Sequence, residues 1–402
     1  MSPFLQLATT LIIILIAAKL AGLIANKLGQ PSVLGELLIG IVLGPTFINI
    51  THLQFATDTH LTEIILQLGE LGVLFIMFLA GLELHLGEMA GHMRVSALAG
   101  ILGVVLPVLL GWGTGLIFKL DNSAALFLGL TMGATSVSIS AQTLMELKVL
   151  RTRVGLGLLG AAVFDDVLVI IMLSVFLALT AGGNGFIQVL IIFGKIVLFL
   201  ALSLGVGIWL LPRIAHQVSR LPISQGVLSL AVVVMLVYGI GAELVGGMAA
   251  ITGTFIAGLM FSRSPEKNRF EPGLLALSYG LFVPIFFISI GISVNLREIQ
   301  ISALWLLIVV AIAAVIGKWV GAGLGARLAG FSWRESTQLG AGMISRGEVG
   351  LIVGAVGLNQ GLVSNDEFSA IIGMVLITTV VTPPLLKSLF PKKIEHSSET
   401  TD

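Results

Sequence analysis

The chain has 402 residues, 56% of them hydrophobic and only 10% charged, with 21 basic against 21 acidic side chains and no cysteine. That composition excludes a soluble globular domain, the balanced charge gives no basis for nucleic-acid binding, and the absence of cysteine excludes disulfides and thiolate metal sites. A polytopic helical membrane protein remains, and 49 glycines fit it because small residues let membrane helices approach closely.

Thirteen apolar stretches come near the ~20 residues that cross a bilayer. They cover 3–27, 32–50, 61–82, 93–118, 123–146, 154–181, 186–211, 222–242, 245–262, 273–293, 302–327, 335–359 and 367–389. The first lacks a basic leader and a clear small-residue cleavage site, so it reads as a retained helix. Only Gly241, Glu243 and the Gly246-Gly247 pair separate the eighth from the ninth. Residues 391–402 read as a short cytoplasmic tail, with no regulatory domain after the membrane part.

Basic residues test this count. Alternate loops, starting at Lys27 and ending at the C-terminus, hold fifteen of the 21, and the opposite loops hold Lys119 and Arg297. Lys19, Lys195, Lys318 and Arg346 fall inside spans. By the positive-inside rule the C-terminus is cytoplasmic and the N-terminus outside.

An internal repeat organises the spans. Leu71-Gly-Val-Leu-Phe-Ile-Met-Phe-Leu-Ala-Gly81 realigns with Leu281-Phe-Val-Pro-Ile-Phe-Phe-Ile-Ser-Ile-Gly291 at an offset of 210. Gly129-Leu-Thr-Met132 realigns with Gly340-Ala-Gly-Met343 at 211. Each pair lies seven spans apart, an odd number, so the copies point in opposite directions. The expected organisation is one transmembrane domain over 1–390, with repeat one at 3–181, a linker helix at 186–211 and repeat two at 222–389. Inverted repeats of this kind belong to secondary transporters, whose sites lie near the midplane between discontinuous helices.

The fifth span supplies such a break in Gly133-Ala-Thr-Ser-Val-Ser-Ile-Ser140, and the twelfth in Gly342-Met-Ile-Ser-Arg-Gly-Glu-Val-Gly350. Unwound backbone at membrane depth is tolerated only where it lines a cavity or is buried in protein. The bland alternative for Thr135, Ser136 and Ser138 is back-bonding to a preceding carbonyl. Arg346 and Glu348 are two apart and would not face each other on a regular helix. They are expected to compensate the charge of half-helix ends.

Asp165 and Asp166 sit in the middle of the sixth span. A carboxylate at the centre of a membrane helix costs roughly 2.5–3.5 kcal/mol on insertion scales. Two neighbours cannot both stay ionised without partners. They project about 100° apart, so one is expected to face a cation path and the other a fixed partner. Lys318, alone in an apolar stretch of the eleventh span, is the available partner; the alternative is snorkelling to the cytoplasmic surface. Asp165, Asp166 and the hydroxyls of Thr135 and Ser136 form an oxygen set suited to a hard monovalent cation. A buried carboxylate near neutrality binds a proton or a cation, not both, and that competition gives coupled exchange. Glu36, Glu70 and Glu243 are expected at the membrane interface.

These residues resemble the monovalent cation:proton antiporters of the Kef and NapA type. The matching pieces are Gly29-Gln-Pro-Ser-Val-Leu-Gly-Glu-Leu-Leu-Ile-Gly-Ile-Val-Leu-Gly-Pro45, Phe78-Leu-Ala-Gly-Leu-Glu83, Ala134-Thr-Ser-Val137, Phe164-Asp-Asp-Val167, Phe286-Phe-Ile-Ser-Ile-Gly291 and Ser345-Arg-Gly-Glu-Val-Gly-Leu-Ile352. They run in order over nearly the whole chain. The resemblance implies thirteen helices, separate core and dimerisation domains, a homodimer, and an elevator-like shift of the core. It implies that Asp166 carries cation and proton, that Asp165 pairs with Lys318 in the cation-free state, and that Thr135 lies in the unwound crossing beside them. Members with Asp-Asp here are usually electrogenic sodium/proton exchangers, whereas potassium-efflux relatives have a different pair and a long cytosolic nucleotide-binding domain.

The reading from sequence is therefore an all-α membrane protein with two crossed discontinuous helices in the cytoplasmic membrane. It is expected to exchange sodium or lithium for protons, with no enzymatic activity and no resident cofactor. A potassium or ammonium/proton exchanger is the alternative within transport. A cation channel with a carboxylate-lined filter is a further one.

Overall fold

A computed structural model describes residues 2–390 except 54–59, 85–86, 88–90, 181–184, 299–302, 348–349, 351–352, 355–356 and 359–360. Every regular element among the described residues is helical. The chain begins with α1 (Pro3–Lys27), α2 (Ser32–Leu43), α3 (Leu61–Leu82) and α4 (Met93–Ile117). The fifth crossing is split into α5 (Asn122–Gly133) and α6 (Val137–Glu146), and α7 (Arg153–Thr180) follows. Next come α8 (Gly185–Gly205), α9 (Leu211–Ser219), α10 (Gly226–Gly241) and α11 (Ala250–Phe261). The last are α12 (Lys267–Leu277), α13 (Val283–Ile292), α14 (Leu304–Leu328), α15 (Trp333–Gly342) and α16 (Asn365–Leu389).

All thirteen expected spans contain helix, and their ends differ where backbone chemistry overrides hydropathy. The second expected span, 32–50, is helical only to Leu43, because Gly44 turns extended ahead of Pro45. The seventh runs past 211 to Ser219 through one π-turn at Val206–Leu210. The tenth starts earlier, at Lys267, and contains a π-turn at Ser278–Phe282. Pro212 and Pro284 explain both turns. Each lacks the N–H that would bond the carbonyl four residues back, Ile208 or Gly280, and the widened turn absorbs the defect. The doubtful junction between spans eight and nine is sharp: a π-turn over Ala242–Gly246 ends at Gly247, whose φ of 64° suits glycine.

The helices pack in two groups. One gathers α4 to α7 with α14, α15 and α16; the other gathers α1, α2, α3 and α10 to α13. Each group draws on both halves of the sequence. The α8 helix lies against α7 and α11. Large apolar side chains stay exposed on the outer helices: Ile12, Ile16 and Leu23 on α1, Leu190 and Leu198 on α8, Ile312 and Ile316 on α14. In lipid such a surface needs no cover, because regular helices satisfy their own backbone polar groups internally.

Glycine sets how closely helices approach. A Cβ on Gly81 of α3 would strike the Phe255 carbonyl, and one on Gly258 of α11 would strike the Phe78 carbonyl. That reciprocal pair presses α3 and α11 into backbone contact. On α14, Gly321 and Gly325 accept the carbonyls of Leu102 and Leu98, and on α4 Gly100 accepts that of Ala161. So α4 is clamped between α14 and α7, and this fixes the distance between Lys318 and Asp165.

A polar link between α6 and α2 helps to join the groups. The N-cap position of α2, Pro31, offers no side-chain cap, and the Glu146 carboxylate at the end of α6 takes that place. It accepts the Ser32 amide at 2.8 Å and the Ser32 hydroxyl at 2.6 Å. A carboxylate on a helix N-terminus is favoured by the free N–H groups and the dipole. Glu36, expected at the interface, is instead buried, its carboxylate against Gly22 of α1. Glu70 and Glu243 are exposed.

Candidate functional site

Two breaks cross at the centre. Between α5 and α6 the chain is extended at Ala134 and Ser136, and after α15 it runs without helix from Ile344 to Gly347. The Ser136 amide donates to the Ser345 carbonyl at 2.9 Å, and the Ser345 hydroxyl donates back to the Ser136 carbonyl at 2.5 Å. Ser140 donates to the Gly342 carbonyl at 2.5 Å and lies 3.1 Å from the Ser345 hydroxyl. Each broken strand thus satisfies the backbone groups freed in the other, as unwound backbone at this depth requires.

Arg346 is fully buried, yet among the described residues no carboxylate is within ion-pair distance of it. Its guanidinium donates to the Met132 carbonyl from Nε at 3.1 Å and from Nη2 at 2.5 Å. It also reaches the carbonyls of Ile344 and Ala314. Met132 is in the last turn of α5, where carbonyls lack helical partners and carry the negative end of the dipole. Thr379 of α16 donates to the Arg346 carbonyl and ties the strand to that helix. Glu348, grouped with Arg346 in the sequence, lies outside the described residues.

Asp165 and Lys318 are both fully buried, and Nζ donates to Oδ1 at 2.5 Å. Snorkelling is therefore not what Lys318 does: it stays at depth with a carboxylate partner. Asp165 Oδ2 and Thr135 Oγ1 are both buried without a hydrogen bond of ordinary geometry, and they lie beside one another. Ser136 is placed on the crossing itself, its hydroxyl 3.0 Å from that of Ser138. Thr131 and Thr143 nearby do back-bond to the preceding turn.

Asp166 turns away from its neighbour. It is 8% exposed, and its Oδ2 accepts the Thr252 hydroxyl at 2.5 Å. Thr252 stands in the first turn of α11, in the other packing group. Sequence reasoning missed this residue. The signal was there, in a Thr-Gly-Thr at 252–254 opening an otherwise apolar helix. In chemical terms the site offers two carboxylates at membrane depth, one neutralised by an ammonium and one held by a hydroxyl. Hydroxyl and carbonyl oxygens surround them.

A polytopic helical protein with two crossed broken helices and ionisable groups buried at the crossing has the architecture of a secondary transporter. Comparison makes this specific. Residues 12–392 match the family described as sodium/hydrogen exchanger, transmembrane. The chain is 38% identical over 390 residues to the Na(+)/H(+)-K(+) antiporter GerN of Bacillus cereus, covering 97% of each chain. It is 40% identical over 380 residues to the probable Na(+)/H(+) antiporter GerT of the same organism, covering 94% of this chain and 98% of that one. It shares the fold of the sodium proton antiporter MjNhaP1 from Methanocaldococcus jannaschii, with a TM-score of 0.71 at 18% identity over 95% of both chains. The protein belongs to the sodium/hydrogen exchanger family, a family of monovalent cation:proton antiporters.

Proposed function

We propose that this protein exchanges a monovalent cation, sodium or lithium in preference to potassium or ammonium, for protons at Asp166. The carrying observation is the unequal treatment of two adjacent buried carboxylates. Asp165 has the Lys318 ammonium at 2.5 Å, whereas Asp166 turns to the Thr252 hydroxyl of the other packing group, and that separate placement supports Asp166 as the group offered to the substrates. A proton and a cation compete for that one group, and alternating access turns competition into exchange.

In this reading Asp165 and Lys318 form the fixed pair of the cation-free state. Thr135, next to Asp165 with an unused hydroxyl, and Ser136 at the crossing supply neutral oxygens as the cation sheds water. Arg346 offsets the negative ends of the half-helices, with Glu348 assigned to the same task. The two repeats, 3–181 and 222–389 about the linker helix, supply one broken helix each. The protein works as a homodimer in the cytoplasmic membrane, N-terminus outside and tail inside.

Purified protein in proteoliposomes tests this reading through collapse of an imposed pH gradient on adding sodium, lithium or potassium. Sodium and lithium should collapse it, and Asp166→Asn should abolish the response while the protein remains folded. Normal exchange by Asp166→Asn would remove Asp166 from its role. A response to potassium alone would overturn the sodium assignment.

A further inference from the structure

The hydrogen bond between Thr252 and Asp166 is made across the boundary between the two packing groups. Beside Asp166 is a cavity of about 10 Å³, walled by Met77, Val163, Ile251, Thr252 and Phe255 among others. That is room for little more than one water-sized sphere. Apart from Asp166, the polar side chain in this wall is Thr252. To meet water on either face of the membrane, Asp166 must part from some of this wall. The wall is firm, because α3, which carries Met77, and α11, which carries the other three distal residues, are locked by the Gly81–Gly258 contact.

Thr252 is the third residue of α11, and the N-cap of that helix, Ala249, provides no side-chain hydrogen bond. The positive end of the helix dipole and the Thr252 hydroxyl therefore both favour negative charge at Asp166. A hydroxyl bond to an ionised carboxylate is roughly twice as strong as one to a neutral acceptor. Both attractions weaken once a proton or a cation neutralises the group.

Taking Asp166 as the carrier, we infer that Thr252 is a positioning residue that tethers the unloaded carboxylate to α11 and so prevents the empty carrier from changing access. A carrier that turned over empty would let the cation run down its gradient without a proton in return. The tether acts selectively on the state that would cause that loss, and loading with either substrate releases it.

The test separates steps that need an empty return from those that do not. Proteoliposomes loaded with radioactive sodium, in alkaline buffer on both sides, are given tetraphenylphosphonium to carry compensating charge. Efflux is then measured into sodium-free medium and into medium containing sodium. Sodium/sodium exchange needs no empty return and also reports a folded, loaded pathway. In the unaltered protein external sodium should accelerate efflux strongly. In Thr252→Val and Thr252→Ala the sodium-free efflux should rise about tenfold relative to exchange, the factor expected for losing a hydrogen bond to a charged group. Thr252→Ser should restore the original ratio. An unchanged ratio in both Val and Ala variants, or the same leak in the Ser variant, would overturn the tether. Asp166→Asn keeps the two ideas apart: abolished exchange with no leak in Thr252→Val defeats the tether alone, whereas retained exchange defeats the carrier assignment.

Discussion

Removing either partner of the Asp165–Lys318 pair should destabilise the protein strongly, and removing both should cost little more than removing one. The two side chains are fully buried and 2.5 Å apart, and among the described residues Asp165 Oδ2 makes no hydrogen bond of ordinary geometry. Lys318→Ala leaves that carboxylate with neither oxygen satisfied. Breaking a buried ion pair from one side costs roughly 3–5 kcal/mol, because an uncompensated charge is stranded in low dielectric. Asp165→Ala strands the ammonium instead, at similar cost. Were the sites independent, the double variant would lose roughly 6–10 kcal/mol, the sum of two such penalties. As a pair they leave no charge behind, so the double variant should lose roughly 3–5 kcal/mol, chiefly from cavities and lost packing. The interaction energy is then roughly 3–5 kcal/mol, at or above the upper end for residues in contact. Unfolding free energies from sodium dodecyl sulfate titration of the four proteins, followed by circular dichroism, provide the cycle. Losses that add to within about 0.5 kcal/mol would show the pair is not coupled and refute the argument.

Arg346→Ala should destabilise by at least 2 kcal/mol, since each buried carbonyl left unsatisfied costs about 1–3 kcal/mol, and Arg346→Lys should recover only part because one ammonium cannot reproduce the fork. The same titration measures both, and full recovery by lysine would count against the multi-carbonyl role. Gly258→Val, placing a branched side chain where the Phe78 carbonyl lies, should cost about 1–3 kcal/mol by overpacking. It should also pry α11 from α3 and admit thiol reagent to a cysteine placed at Met77. Stability and labelling like the parent protein would show that the close contact is unimportant.

The crossing was legible in the sequence because hydrocarbon is unforgiving. Glycine and hydroxyl residues at 133–140 and 342–350 had no reason to interrupt apolar spans unless the backbone there was unwound and paired. Lys318 was legible as a partner for the same reason, as an ammonium among alanine, valine and glycine. What stayed hidden depends on contacts between distant segments made by residues with an ordinary local explanation. A threonine in the first turn of a helix reads as local capping, so the Thr-Gly-Thr at 252–254 marked a polar spot without naming its partner, a carboxylate 86 residues away. Glu146 reads as a residue at a helix end, and its role as the cap of α2 appears only once residue 32 is beside it. Glu36 reads as interfacial because hydropathy does not register that Gly22 leaves space for its side chain.

The charge balance of the site explains why two carboxylates stand there when one can carry an ion. Lys318 and Arg346 bring two positive charges to the crossing, and Asp165 and Asp166 bring two negative ones. With both carboxylates ionised and no cation bound, the formal sum is zero. A proton or a monovalent cation on Asp166 raises it by one in either case, so the two loaded forms carry the same charge and exclude one another. A one-for-one exchange at Asp166 alone would therefore move no net charge. Electrogenic exchange requires a second group that changes protonation in the cycle. Arg346 cannot supply it, because guanidinium stays protonated in proteins. Lys318, held at depth by its contact with Asp165, is the group we assign to it. A cation that drew Asp165 toward itself would weaken that hold and release the proton. With Asp166 as the proposed carrier, we propose that the Asp165–Lys318 pair makes more than a structural contact and sets how many protons travel against the cation.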